Sequence, residues 1–214
     1  MKRLLNITIV SLGLMALASF ATAGDVNKGE SLSVQCVACH SNDGNSASPM
    51  FPKIAGLGEK YLLKQLKDIQ SKQRIVPEMT GLLDNKSDAD LADLAAFFDS
   101  KTLQLSGAKE LKVKTNASIE VDSLVLGARI YRAGNAEAGV PACSGCHSPT
   151  GNGNAPAAFP RLGGQYAAYI EKQLKAFRAG ERANDGDAMI MRSIAQRMTD
   201  AEIASVANFI SGLH

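Results

Sequence analysis

Residues 36–40 read Cys-Val-Ala-Cys-His, and residues 143–147 read Cys-Ser-Gly-Cys-His. The two frames use all four cysteines of the 214-residue chain and two of its three histidines, His40 and His147; the third, His214, is the last residue. A pair of disulfides gives no reason for a histidine directly after each cysteine pair. A zinc ribbon sets its two C-x-x-C pairs about 15–20 residues apart, far closer than Cys39 is to Cys143. A thioredoxin-like redox pair needs a βαβ setting, and no strand pattern flanks either frame. C-x-x-C-H is the attachment signature of c-type haem. On one helical turn, residues three apart share a face. Cys36 with Cys39, and Cys143 with Cys146, can therefore each form two thioethers to the vinyl groups of one porphyrin. The histidine that follows, His40 or His147, projects over the ring and supplies the proximal nitrogen to iron. Two covalently attached haem c groups are the expected cofactors.

Outward from these frames the chain repeats itself. Phe51–Arg74 aligns without a gap against Phe159–Arg182, with nine of 24 positions identical, and Met79–Phe98 aligns against Met191–Ile210. The period is too long for a solenoid, so two duplicated domains account for it better. They span residues 24–100 and 123–214. Each half reads as helical. Asp25 opens a short helix over 25–35, and Leu62, Leu66 and Ile69 mark one face of a helix over 59–73. Ser87-x-x-Asp90 and Thr199-x-x-Glu202 predict capping boxes. They are followed by Leu91, Leu94, Ala95, Phe98 and by Ile203, Val206, Ala207, Ile210 at i, i+3, i+4, i+7. Those stripes read as core rather than as walls of a cofactor site. Loops 41–50 and 148–158, rich in Asn, Gly, Ser and Pro, cannot continue a helix and are expected to wrap one porphyrin edge. Residues 101–122 match neither half and read as a solvated interdomain linker.

With 45% apolar and 21% charged residues and a mean hydropathy of -0.05, the chain is neither a polytopic membrane protein nor disordered. Residues 1–23 read as a cleaved export signal: Lys2 and Arg3, an apolar stretch from Leu4 to Phe20, and a small-residue site at Ala21-Thr22-Ala23. Without that leader, basic and acidic residues balance at 21 each, which gives no support for nucleic-acid binding. The balance hides an asymmetry. Residues 25–100 carry eight basic and eleven acidic side chains, and residues 123–214 carry nine and seven, so the halves have opposite sign.

The occupant of the far side of each iron decides function. In the first half Met79 stands just before the capped terminal helix. The repeat places Met191 at the same position in the second half, with Met189 as its rival; Met198 aligns with Lys86 and reads as packing or surface. His/Met ligation raises the reduction potential. It also leaves no vacant site for oxygen or peroxide, which favours electron transfer over catalysis.

These features together resemble the cytochrome c4 family, dihaem members of the class I c-type cytochromes. They are two C-x-x-C-H halves, repeated Phe-Pro-(Lys/Arg)-(Ile/Leu)-x-Gly segments, Tyr-x-x-Lys-Gln-Leu runs with a later Arg, and a Met before each capped helix. The likeness covers the whole chain after the leader. It implies an all-α fold of two tandem cytochrome c-like domains related by pseudo-twofold symmetry, each with one covalently bound haem, and no catalytic residues. It implies electron transfer in the periplasm, from a quinol-oxidising complex or other donor toward a terminal oxidase. No small-molecule substrate is expected, and peripheral association with a membrane is compatible with it. Similar proteins serve as the dihaem subunit of a flavocytochrome sulfide dehydrogenase, and a dihaem peroxidase is a third reading. In similar cytochromes a proline carbonyl accepts the Nδ1–H of the proximal histidine, a role that falls to Pro52 and Pro160. Arg74 and Arg182, matched across the repeat, are candidates to pair with haem propionates. The second half departs from the first by nine extra residues before its haem motif and four before Met191, so equal potentials for the two haems are not expected.

Overall fold

The computed structural model describes residues 23–214; the leader read over 1–23 lies outside them but for Ala23. Asp25 accepts the backbone N–H groups of Asn27 and Lys28 and so caps α1 (Val26–Leu32). A 3-10 turn, Ser33–Gln35, leads straight into the four-residue α2 (Val37–His40). After the haem-side loop come α3 (Glu59–Gln70) and α4 (Asp88–Asp99). The helix predicted over 59–73 stops at Gln70. Lys72 turns to φ 63°, which lets the Arg74 N–H reach the Asp68 carbonyl at 2.9 Å. Ser87 and Asp90 form a complete capping box at the start of α4.

A two-stranded antiparallel ribbon follows, β1 (Lys112–Lys114) with β2 (Glu120–Asp122), in the register Val113 opposite Val121. The second half then repeats the plan: α5 (Ser123–Ala133), α6 (Ser144–His147), α7 (Ala167–Ala179), α8 (Ile190–Ala195) and α9 (Asp200–Ser211), the last opened by the Thr199/Glu202 capping box. Both domains are all-α. In each, the first helix crosses the last at a glycine. A Cβ on Gly29 would lie 2.0 Å from the Asp93 carbonyl oxygen, and one on Gly127 2.2 Å from that of Ser205, so only glycine lets these backbones approach so closely. Each half has its own core, one around Leu94, Phe97 and Phe98, the other around Ile130, Tyr131, Ile203 and Val206.

Residues 101–122 are largely exposed, as their four lysines lead one to expect, but the connector is anchored at intervals to both halves. Leu103 is buried in the first core, and Val113 and Val121 pack on the second. Between them the backbone is fastened to the second half: Ser106 N–H to the Gly164 carbonyl, Gly107 N–H to the Ser211 carbonyl, and Lys109 N–H to Asn208 Oδ1. The lysines at 112 and 114 point to solvent while the chain beneath them joins the two cores. The halves also meet directly. The Gln165 amide both accepts from the Lys53 N–H (3.0 Å) and donates to the Lys53 carbonyl (2.7 Å), and Tyr166 Oη donates to the Ser46 carbonyl (2.5 Å).

Candidate haem sites

In the first half the Cys39 and His40 N–H groups both point to the Cys36 carbonyl, at 3.2 and 2.9 Å; in the second, Cys146 and His147 point to Cys143 at 3.2 and 2.9 Å. Each motif is thus one helical turn, and the chain leaves it through a serine with positive φ, Ser41 (64°) or Ser148 (67°). The four cysteines are unpaired thiols. Burial pushes Cys36 and Cys143 above the usual thiol range, Cys143 to about 11, the reverse of the activated thiolate a dithiol redox site needs.

His40 Nδ1 lies 2.9 Å from the Pro52 carbonyl oxygen, and His147 Nδ1 lies 2.9 Å from that of Pro160. A carbonyl can only accept, so Nδ1 carries the proton and Nε2 is left with a free lone pair for a metal. Burial holds both imidazoles below their ordinary pKa of 6.5, partly offset by the proline carbonyl, and so favours the neutral, ligating form. Phe51 stands edge-on to His40 and Phe159 tilted to His147, with ring centres 6.4 and 6.2 Å apart.

Cys36, Cys39 and His40 open onto a cavity of about 490 Å³, within the ~300–1,000 Å³ of small-molecule sites. Met79, at the end of a 3-10 turn (Pro77–Met79), lines the same cavity. So do Leu94, Ala95 and Phe98. The apolar stripe of α4 is therefore both core and cavity wall, which corrects the reading of it as core alone: only a wall of that kind gives an apolar macrocycle a dry face. Paired thiols on one turn, an imidazole with a free Nε2, and a thioether around an apolar slot are a donor set that fits haem c. In the second half Met191 is half-buried in the first turn of α8, with Met189 just ahead of it at φ 46° and 47% exposed, while Met198 is a core residue. The Asp185 carboxylate fastens α8 by accepting from the Arg192 backbone N–H and Nε, at 2.9 and 2.6 Å.

The first cavity is closed by the second half, through Tyr169, Gln173 and Arg182. Here arginines just beyond α3 and α7 exchange a crossed set of hydrogen bonds with the two helices. Arg74 donates to Gln65 in its own half (2.8 Å) and to Tyr169 Oη (2.9 Å) and Gln173 (3.2 Å) in the other. Arg182 donates to Gln173 in its own half (2.7 Å) and to Tyr61 Oη (3.3 Å) and Gln65 (3.0 Å) in the other. Burial pushes the Tyr61 phenol up, but Arg182 and Arg74 beside it more than reverse this and hold it below its usual value. One arm has no counterpart. Asn184 donates to Asp68 at 2.6 Å, and Asp68 also pairs with Lys64; the repeat puts Ala176 where Asp68 stands. The roles of Tyr61, Tyr169, Gln65 and Gln173 were not read from the sequence, although their identity across the repeat was the available signal.

The cytochrome c family profile matches residues 26–101 and again 124–214. Cytochrome c4 of Azotobacter vinelandii is 48% identical over 223 aligned residues, covering 100% of each chain. The chain belongs to the cytochrome c4 family. The crystal structure of reduced recombinant cytochrome c4 from Pseudomonas stutzeri superposes with a TM-score of 0.82 at 46% identity, covering 90% of this chain and 100% of that one. A more distant relative, the thiosulfate dehydrogenase electron acceptor of Thiomonas intermedia, is 36% identical over 82% of this chain and 77% of its own. The protein accordingly carries two haem c groups, one per domain, and is an electron carrier rather than an enzyme.

Proposed function

We propose that this chain is a periplasmic carrier that takes single electrons from a quinol-oxidising complex and delivers them toward a terminal oxidase. The observation that carries the reading is the shared wall: the cavity of the first domain is completed by Tyr169, Gln173 and Arg182 of the second. A carrier built this way would hold its two redox centres in adjoining domains, so that an electron accepted by one half could leave from the other. When bound, haem c supplies reversible one-electron chemistry at iron. The protein's part is to hold and tune it. Cys36 and Cys39, with Cys143 and Cys146, are the thioether anchors. His40 and His147, fixed by the Pro52 and Pro160 carbonyls, would offer Nε2 to iron, and Met79 and Met191 would supply the thioether sulfurs that keep oxygen and peroxide out. Arg74 and Arg182 place two guanidinium groups in the wall between the domains, where propionate carboxylates would meet them. Export by residues 1–23 accounts for haem attachment outside the cytoplasm, and among the described residues no helix is long and apolar enough to cross a membrane. The halves carry opposite charge, which suits two different docking partners.

The test is to add the purified dihaem protein to membranes stripped of soluble cytochromes and follow quinol-dependent oxygen uptake. Restored uptake that weakens as salt is raised supports the reading. Uptake that stays absent while the membranes oxidise other donors contradicts it. The likeness to a protein named for thiosulfate dehydrogenase favours a second reading, acceptance of electrons from a sulfur-compound dehydrogenase. Reduction by such an enzyme and not by the quinol-oxidising complex would select it.

A further inference from the structure

The two proximal imidazoles are held alike, each by a proline carbonyl at 2.9 Å, but the backbone beneath them is not. In the second half Tyr131 projects from α5 with no exposed surface. Its hydroxyl donates to the Ser148 carbonyl at 2.7 Å and lies 3.4 Å from the His147 carbonyl. The Gly153 N–H also reaches the His147 carbonyl, at 2.9 Å. Counting from the matched crossing glycines, Gly127 and Gly29, the residue at the position of Tyr131 in the first half is Ser33. The Ser33 hydroxyl turns back to the Glu30 carbonyl of its own helix at 2.8 Å and gives nothing to the haem turn.

We propose that Tyr131 is a positioning residue for the second haem alone. Its phenol pins the turn that leaves the motif at the strained φ of Ser148, and so keeps the His147 ring seated on the Pro160 carbonyl. A firmly held Nδ1–H···O bond makes the imidazole a more basic ligand, and a more basic ligand favours ferric iron. Tyr131 thus draws the second haem's potential downward, through His147 and without touching iron. The inference rests on the proposed ligation of iron by His147.

The experiment compares the intact dihaem protein with its Tyr131→Phe variant, which keeps the ring and removes only the hydroxyl. The two midpoint potentials are resolved by voltammetry, and the hyperfine-shifted histidine ring protons by NMR of the oxidised form. The expected result is a rise in the second potential with displaced His147 signals, and an unchanged first potential with unchanged His40 signals. A lower melting temperature with both potentials and both sets of signals unmoved overturns the proposal and leaves Tyr131 a packing residue. Equal shifts at both haems, or a fall at the second, overturn it as well. Absence of hyperfine-shifted His147 signals from the unmutated protein overturns the ligation, and the proposal with it, and is distinguishable from the other failures. Should the variant not fold, amide exchange of the unmutated protein decides: Gly151 and Gly153 should exchange at least about tenfold more slowly than Gly44 in the first turn, and equal rates overturn the proposal.

Discussion

The first domain leaves its haem turn at Ser41 with Ser33 behind it; the second leaves at Ser148 with Tyr131 behind it. The first half caps its last helix with Ser87 and the half-buried Asp90. The second uses Thr199 and a buried Glu202, whose free oxygen also accepts from Asn135 Nδ2 at 2.7 Å. Asn135 lies in the segment 133–142 that the first half lacks, folded into a tight bridge with Val140. The insertion before the second haem motif is therefore tied to the far end of its own domain. The duplicated ligand chemistry has stayed the same while the supports around it have diverged. Differences between the two haems should then be sought in what holds the ligands rather than in the ligands.

The sharpest way to break the comparison is to open one iron at a time. Met79→Ala should leave exactly one of two haems able to bind CO in the reduced protein, and Met191→Ala should open the other, whereas Met189→Ala should open neither. CO binding after Met189→Ala and not after Met191→Ala would exchange those two roles.

Next in size is the wall between the domains. Arg74→Ala and Arg182→Ala each strand tyrosine and glutamine groups that now receive hydrogen bonds, and each should lower unfolding stability by about 2–3 kcal/mol, read from denaturant midpoints. Because the two arginines share Gln65 and Gln173, the double variant should cost less than the sum of the two. Strict additivity would mean that the crossed bonds are two separate sets.

The caps come third. Loss of either cap hydroxyl should cost about 1 kcal/mol, with Thr199→Ala worse than Ser87→Ala, since it frees a buried carboxylate. Equal losses in thermal melts would remove this difference between the halves. Smallest is an acid effect at the cap of the first half's last helix. Hydrogen bonds from Ser87 hold the Asp90 carboxyl below its ordinary 3.8. A carboxylate depressed in the folded state stabilises above its unfolded pKa and loses that contribution as pH falls through the folded one. The stability gap between the protein and its Asp90→Asn variant should therefore be constant above about pH 5 and close at lower pH; a gap that persists in strong acid contradicts the assignment.

The parts of this molecule that were legible in its sequence are those written in local chemistry. Two C-x-x-C-H frames, two capping boxes and an apolar stripe need only neighbours within a turn or two of helix. The proline carbonyls came by resemblance, since spacing does not reveal which way a carbonyl points. What stayed illegible depends on partners far along the chain. Tyr169 meets Arg74, and Gln165 meets Lys53, across about a hundred residues, and no periodicity encodes either meeting. The exposure of residues 101–122 follows from their four lysines, but their anchoring does not. Leu103, Val113 and Val121, too few and too widely spaced to form a pattern, bind that segment to both cores. Tyr131 has no tyrosine partner in the repeat, and divergence is invisible to a search for likeness.

The central claim is that two closed irons, one in each half, make this chain a carrier. The direct test is the haem-to-protein ratio of the holoprotein together with its reduced spectrum with and without CO. Two haems per chain, both low-spin and both indifferent to CO, are the predicted result. A haem that binds CO in the unmutated protein would contradict it, since one half would then hold an open iron.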